Sequence, residues 1–245
     1  KKNLYESVYD LDNKSKLFGL SDEIVSTLLY PMFLEGQEPL GSMGNDTPLA
    51  FMSEKKRNMF DYFKHSFAQV TNPPLDSIRE NFVMSLECPV GQDSNLLEIN
   101  KDRTNKIIFQ SPVLSRYELS LIRDNHIPEL KSSFLDATFA KTDNRNMKDI
   151  ILDRCNSIYD QIIKNKSNTI ILSDRNVDKD NVQIPSILMT SALHNFLLEK
   201  KIRNNLTIIV ETGGIRESHH YCCLLGFGAD GISPYMAYKS IKNFL

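Results

Sequence analysis

The second half of the chain alternates short apolar runs with longer segments of helical periodicity. Thr169–Leu172 and Leu206–Val210 carry continuous apolar runs, which are typical of parallel strands covered on both faces. The other predicted elements are strands at 107–109, 133–138 and 228–232, and helices at 115–125, 146–164, 185–201, 215–225 and from Ser233-Pro234 onward. This alternation predicts a parallel sheet with right-handed crossovers.

The first half lacks this alternation and is predicted to be helical and irregular. Ser21 is the predicted N-cap of a helix that ends at Gly36. Ile24, Leu28 and Met32 fall on one face of that helix, so this face is expected to be buried.

A second helix in the first half is predicted from its aromatic residues. Phe60, Phe63 and Phe67 recur at helical spacing and would form one buried face. Ser53 is the predicted N-cap. Pro73 and the proline after it end the helix, because an interior proline costs about 3 kcal/mol.

The number of strand–helix units limits the architecture. Four units are predicted, or five if the weak strand at 107–109 is counted, whereas a closed barrel needs eight. The pattern alone does not separate an open doubly wound sheet from part of a barrel. Residues 1–105 are expected to form the helical and irregular part, with a turn at 88–91, and residues 106–245 the (βα) repeat part.

The loop Gly41–Pro48 is tightly specified. Gly41 and Gly44 permit positive φ or a close approach of the backbone. Pro48 fixes its own φ and favours an extended Thr47. Two interpretations stay open: ordinary punctuation before a helix, or a conformation that serves a function.

Composition argues against some classes of partner. The 245 residues carry 29 Lys and Arg against 31 Asp and Glu, a net charge of −2, and the basic residues are scattered. A nucleic-acid or membrane-surface partner is therefore not expected. No run of about 18 apolar residues occurs, so no transmembrane helix is expected. The chain begins without Met, which suggests a segment of a longer protein.

The cysteine and histidine spacings do not predict a metal site. None of the four cysteines forms a C-x-x-C pair, so reduced, buried thiols of an intracellular protein are expected. They are Cys88, Cys155, Cys222 and Cys223. His219 and His220 are adjacent, whereas two ligands on one helix need i, i+4 spacing. One is expected to face the core and the other the rim.

Polar residues and glycines follow the predicted strands, where parallel α/β proteins place their functional sites. They are Asp136, Thr138, Ser173, Asp174, Arg175, Glu211, Thr212, Gly213, Gly214 and Ser233. One interpretation is a site for an anion or a carboxylate pair. The other is an Arg175–Asp or Arg216–Glu211 ion pair that closes the top of the sheet. Two interpretations also stay open for the glycine-rich segment 226–231: it binds a phosphate, or its small residues allow close packing of a helix.

Five long segments resemble the central domain of glutamate synthase. They are GSMGNDTPLAFMS at 41–53, FAQVTNPPLDSIRENFVMSLE at 67–87, LDATF at 135–139, LSDRNVD at 172–178 and VETGGIRESHHYCCLLGFGADGISPY at 210–235. They are ordered along the chain and extend the resemblance from about Leu17 to its end.

This resemblance implies a truncated, barrel-like parallel α/β domain without chemistry of its own. In the family, the domain joins an amidotransferase domain to an FMN-binding domain, and ammonia from glutamine travels internally to the site that makes glutamate from 2-oxoglutarate. FMN and an iron–sulfur cluster are then expected in the intact enzyme but outside this domain. The chain by itself is expected to be an inactive fragment of this oxidoreductase, in the cytoplasm or a plastid.

The resemblance also suggests which residues of this chain contribute to the ammonia channel. The candidates lie in the loop Gly41–Pro48 and are Ser42, Asn45, Asp46 and Thr47. No catalytic, cofactor-binding or metal-binding residue is assigned. The alternative function is a free-standing partial-barrel enzyme or binding module, which would use Asp174 and Glu211 with a phosphate-bearing ligand at 228–233.

Overall fold

The computed structural model describes residues 14–39, 58–63, 74–92 and 106–244. The helices are α1 (Asp22–Ile24, the π-helical turn Val25–Leu29 and Tyr30–Glu35), α2 (Ser77–Val83), α3 (Arg116–Arg123), α4 (Met147–Asn165), α5 (Ser186–Glu199), α6 (Ser218–Gly226) and α7 (Tyr235–Phe244). The strands are β1 (Cys88–Gly91), β2 (Lys106–Phe109), β3 (Ser132–Asp136), β4 (Thr138–Ala140), β5 (Thr169–Ser173), β6 (Asn181–Gln183), β7 (Thr207–Glu211) and β8 (Gly231–Ser233). Short 3₁₀ helices lie at Met59–Tyr62 and Arg203–Asn205.

The centre of the fold is a parallel sheet with the strand order β3–β5–β7–β8. Ile170 and Leu172 of β5, and Ile208 and Val210 of β7, are fully buried. They point to one face of the sheet and pack against α4, α5 and α6. The prediction of two central parallel strands from their apolar runs is confirmed.

The opposite face is covered by α3 and by the antiparallel hairpin of β1 and β2. Ile171 and Ile209 point to this side and pack against Ile122 of α3 and Val90 of β1. Burial on both faces is the reason that β5 and β7 have no polar alternation.

Two predictions for the hairpin were wrong. Residues 88–91 form a strand rather than a turn, and residues 107–109 pair antiparallel with them rather than entering the parallel sheet. The extended conformation places Val90 in the core, where it is completely buried. That contact outweighs the turn preference of the proline and glycine beside it.

A third cluster closes the carboxyl ends of the strands. Phe18 and Leu20 pack there against Leu29 of α1 and against Tyr235 and Met236 of α7. The rings of Phe18 and Tyr235 meet edge-on, with centroids 6.1 Å apart. This cluster fixes the first described residues of the chain on top of the sheet.

The predicted ends of α1 are confirmed. The Ser21 side chain accepts a hydrogen bond from the Ile24 backbone N–H, and Gly36 ends the helix with a φ of 65°. A left-handed residue at this position is the ordinary end of a helix, and glycine adopts it without a side-chain clash.

The predicted aromatic helix is wrong where the structure describes it. Asn58 and Asp61 form a capping box that starts a 3₁₀ turn at Met59, and Phe63 is extended, with φ −100° and ψ 121°. Phe60 and Phe63 therefore do not continue one helix toward Phe67. Phe63 instead packs edge-on against Phe227 at 5.0 Å.

The fold class is confirmed as a mixed α/β domain with a parallel sheet, and no closed barrel forms among the described residues. The division into parts 1–105 and 106–245 stays a prediction. The pairing of β1 with β2 crosses the boundary between these two parts.

Candidate functional site

Four polar side chains form a row across the carboxyl ends of the parallel strands. Asp136 is in register with Ser173, Ser173 with Glu211, and Glu211 with Ser233. Residues in register on neighbouring strands point to the same face. The row therefore lies on the face covered by α3.

Glu211 is the charged centre of this row. It is fully buried and accepts hydrogen bonds from Ser173 Oγ at 2.7 Å and Arg123 Nη2 at 2.5 Å. Arg175 Nε binds its other carboxylate oxygen. The guanidinium of Arg175 also lies over the Tyr235 ring, 4.6 Å from the centroid. Two arginines thus compensate one buried carboxylate, as a buried charge requires.

The ion pairs named from the sequence do not form as written. Arg175 pairs with Glu211 rather than with an aspartate. Arg216 does not reach Glu211, because its Nη2 donates to the Phe18 carbonyl at 2.6 Å. An ion pair does lie at the top of the sheet, as the second interpretation expected, but it joins Arg175 to Glu211.

Two arginines of α3 were missed by sequence reasoning. A capping box of Ser115 and Glu118 starts α3, which brings Arg123 to Glu211 across 88 residues of chain. Burial is the main cause that lowers the pKa of Arg116, and the positive charge of the nearby Arg175 lowers it further. The sequence offered no local signal for a contact at this separation.

Asp174 is the second buried carboxylate, and neutral donors hold it. Thr212 Oγ1 donates to it at 2.5 Å and the Gly213 N–H at 3.0 Å. Burial raises the pKa of Asp174 to about 7, although these hydrogen bonds favour the charged form. Because the Gly213 N–H donates to the Asp174 carboxylate, this donor is not available to an external anion at the strand end.

The space above Gly213 is also filled. A Cβ added to Gly213 would lie 2.7 Å from side-chain carbons of both Met236 and Phe18. Glycine is required here because the third cluster packs directly on the backbone. A phosphate at this point would meet the Asp174 carboxylate and an apolar surface, so the residues do not fit a phosphate-bearing ligand.

The glycine-rich segment 226–231 serves packing rather than phosphate binding. Gly228 has a φ of 107°, and an added Cβ would lie 2.3 Å from the His194 ring. Asp230 accepts hydrogen bonds from the Ile208 N–H at 2.7 Å and from Arg203 at 2.9 Å. These contacts lie near the start of β7, at the amino end of the sheet, and they account for the small residues.

The two histidines of α6 divide as expected between core and rim. His220 is buried and its ring stacks on Phe60 at 4.5 Å, whereas His219 is half-buried. His219 Nε2 lies 3.3 Å from the Phe60 carbonyl oxygen. Both histidines therefore hold the Asn58–Phe63 segment on α6.

The cysteine prediction holds for two of the four residues. Cys88 and Cys155 are buried, and burial raises the pKa of each thiol to about 11. Cys222 is exposed, and Cys223 is half-buried and packs against the apolar cluster under α6. Across the described residues, no three side chains form a group suited to a metal ion, and no helix there is long and apolar enough to cross a membrane.

The channel candidates Ser42, Asn45, Asp46 and Thr47 lie outside the described residues. The nearest described segment that follows them is Asn58–Phe63, which lies against α6 and beside the carboxyl edge.

Comparison with known proteins identifies the family. The model of the glutamate synthase central domain matches residues 13–245. The chain belongs to this family. It is 39% identical to the NADH-dependent glutamate synthase of Schizosaccharomyces pombe over 237 residues, 96% of this chain and 11% of the relative.

Two further relatives give the same result. Identity is 39% to the large chain of the NADPH-dependent glutamate synthase of Bacillus subtilis, over 97% of this chain and 15% of that protein. It is 36% to the chloroplastic ferredoxin-dependent glutamate synthase 2 of Arabidopsis thaliana, over 94% of this chain and 14% of that protein. This glutamate synthase central domain thus spans a small part of each relative. The three relatives are named for different electron donors.

Proposed function

We propose that this central domain is a non-catalytic part of a longer glutamate synthase polypeptide. It joins the amidotransferase domain to the FMN-binding domain and contributes to the internal path of ammonia. The observation that carries the proposal is the closed carboxyl edge, where Asp174 and the Phe18–Met236 contact fill the place that a parallel α/β enzyme uses for its ligand.

The residues present do not fit the cofactors of the intact enzyme. An FMN phosphate would meet the Asp174 carboxylate at the strand ends. An iron–sulfur cluster needs several thiolates together, whereas Cys88 bonds to the Asp230 carbonyl, Cys155 is buried in α4 and Cys222 is exposed. FMN and the cluster therefore belong to other domains of the polypeptide.

The ammonia path is assigned to the loop with Ser42, Asn45, Asp46 and Thr47. The hydroxyl and amide side chains of Ser42, Asn45 and Thr47 can hydrogen-bond a neutral polar molecule without trapping an ion. The chain that follows this loop is held on α6 by the Phe60–His220 stack and the His219 contact.

Replacing Thr47 by Phe in the full-length enzyme tests the path. A bulky ring in the path should leave glutamine hydrolysis largely intact and lower the fraction of hydrolysed glutamine that appears as glutamate. External ammonia should restore part of the synthesis, because it need not use the internal path. The two half-reactions are measured separately, with Thr47→Ser as the matched control that keeps the hydroxyl.

Two results would overturn the assignment of Thr47. Either both half-reactions fall together, or coupling in the Thr47→Phe variant stays as tight as in the unmodified enzyme. In each case the loop is structural, and the ammonia path avoids it.

A further inference from the structure

A cavity of about 1060 Å³ lies beside the carboxyl edge, outside the closed network of Asp174 and Glu211. Its walls come from the segment around Phe18, the Asn58–Tyr62 segment, the end of β6 and the start of α5. Its volume is in the range of cavities that hold small molecules. No part of the proposed function uses it.

The start of α5 opens into this cavity. α5 has 14 residues, its N-cap is Pro185, and no side chain caps the N–H groups of its first turn within the described structure. Pro185, Ser186 and Ile187 all line the cavity. Uncapped N–H groups at the positive end of a helix favour an anion.

Ser186 supplies a second, independent donor. It is only 6% exposed, it lines the cavity, and its hydroxyl has no hydrogen-bond partner among the described residues. A ligand in the cavity would satisfy it.

Arg216 brings the positive charge. It lines the cavity, its Nη2 donates to the Phe18 carbonyl at 2.6 Å, and its Nε has no partner in the described part of the chain. Burial lowers the pKa of Arg216, and the charges of Asp61 and Glu217 act against this shift. Lys16 and Glu23 are the other charged residues of the wall.

We propose that this cavity binds the carboxylate group of a small organic acid. The first turn of α5, the Ser186 hydroxyl and Arg216 donate to its two oxygens. A carboxylate fits better than a phosphate dianion, because the wall carries little net positive charge: Glu23 offsets Lys16, and the charges of Asp61 and Glu217 act on Arg216. The site goes beyond the proposed function.

Calorimetric titration of the 245-residue chain with glutarate tests the site. Glutarate is expected to bind with one saturable site. Glutaramide, which has the same carbon skeleton without charge, is expected to bind at least about tenfold more weakly, a difference of 1.4 kcal/mol. No binding of glutarate, or equal binding of the two compounds, overturns the proposal. Tighter binding of inorganic phosphate than of glutarate also contradicts it.

Variants of α5 locate the site. Ser186→Ala should weaken glutarate binding about tenfold. Ser191→Ala, which removes a hydroxyl of the same helix that does not line the cavity, should leave binding unchanged. Equal effects of the two changes contradict the assignment.

An internal carboxylate gives a test that does not depend on the choice of ligand. Ser186→Asp places a carboxylate at the first position of α5, so it should abolish glutarate binding without lowering the melting temperature below that of Ser186→Ala. A site unsuited to anions would instead make the buried carboxylate strongly destabilising, and a clear loss of melting temperature relative to Ser186→Ala refutes the proposal.

Discussion

At the scale of single residues, the carboxyl edge holds two buried carboxylates in different ways. Glu211 is compensated by Arg123 and Arg175. Asp174 is held by neutral donors, among them the Thr212 hydroxyl and the Gly213 N–H, so burial raises its pKa to about 7 from 3.8. The folded state therefore binds the Asp174 proton more tightly than the unfolded state does.

Asp174 should make stability depend on pH. A raised pKa in the folded state gives a stabilisation that is complete below pH 3.8 and is lost as the pH rises to about 7, a change on the order of 4 kcal/mol. Asp174→Asn keeps an oxygen acceptor and cannot titrate. The difference in free energy of unfolding between this variant and the unmodified chain should therefore shift in favour of the variant across that range.

Urea unfolding at several pH values between 4 and 8 measures this difference. The exposed Asp153→Asn change is the control, since solvent screens the surface pair of Asp153 with Arg145. A difference between Asp174→Asn and the unmodified chain that stays constant with pH would show that Asp174 does not titrate in this range.

Sequence reasoning found the strand-end residues but not their partners. Asp174, Arg175 and Glu211 were identifiable because each follows an apolar strand. Arg123 was not, because its contact with Glu211 depends on how α3 crosses the sheet. The exact pairing of charges is a property of packing, which local pattern does not encode.

At the scale of elements, the strands with two buried faces were the most predictable. Their apolar runs have one physical cause, coverage by α4, α5 and α6 on one side and by α3 and the hairpin on the other. The hairpin itself was missed, because Pro89 and Gly91 resemble a turn and its antiparallel partner lies beyond a long polar segment.

A pair of substitutions in register tests the sheet. Ile171 is 1% exposed, whereas Phe134, its partner on the edge strand β3, is 42% exposed. Ile171→Asp should lower the free energy of unfolding by several kcal/mol, because it buries an unpaired charge. Phe134→Asp should cost clearly less. Similar thermal transitions for the two variants would refute the central position of β5.

A pair of glycines tests the close packing after α6. Gly228→Ala should destabilise by at least about 2 kcal/mol, because its φ of 107° disfavours a side chain and its Cβ would meet His194. Gly226→Ala has no atom within 4 Å of the added carbon and should be neutral or slightly stabilising. Chemical denaturation of both variants decides the question. Equal stabilities would mean that Gly228 is not a packing requirement.

At the scale of the whole molecule, the described residues form three apolar clusters and one charged network that fill the carboxyl edge over Asp174 and Glu211. The cavity of this edge lies to one side, against the start of α5. This filled edge supports the proposal that the domain is non-catalytic. The architecture followed from the strand–helix alternation. The closure did not, because it depends on Phe18 and Met236, which are 218 positions apart in the sequence.

Titration of the 245-residue chain with FMN, followed by flavin fluorescence, tests the closed edge most directly. A known FMN-binding protein serves as the positive control, and circular dichroism establishes that the chain is folded in the same buffer. The account predicts no saturable change of flavin fluorescence, because the Asp174 side chain and the Phe18–Met236 contact fill the space at the Gly213 backbone. Stoichiometric, saturable binding of FMN by the folded chain would contradict it.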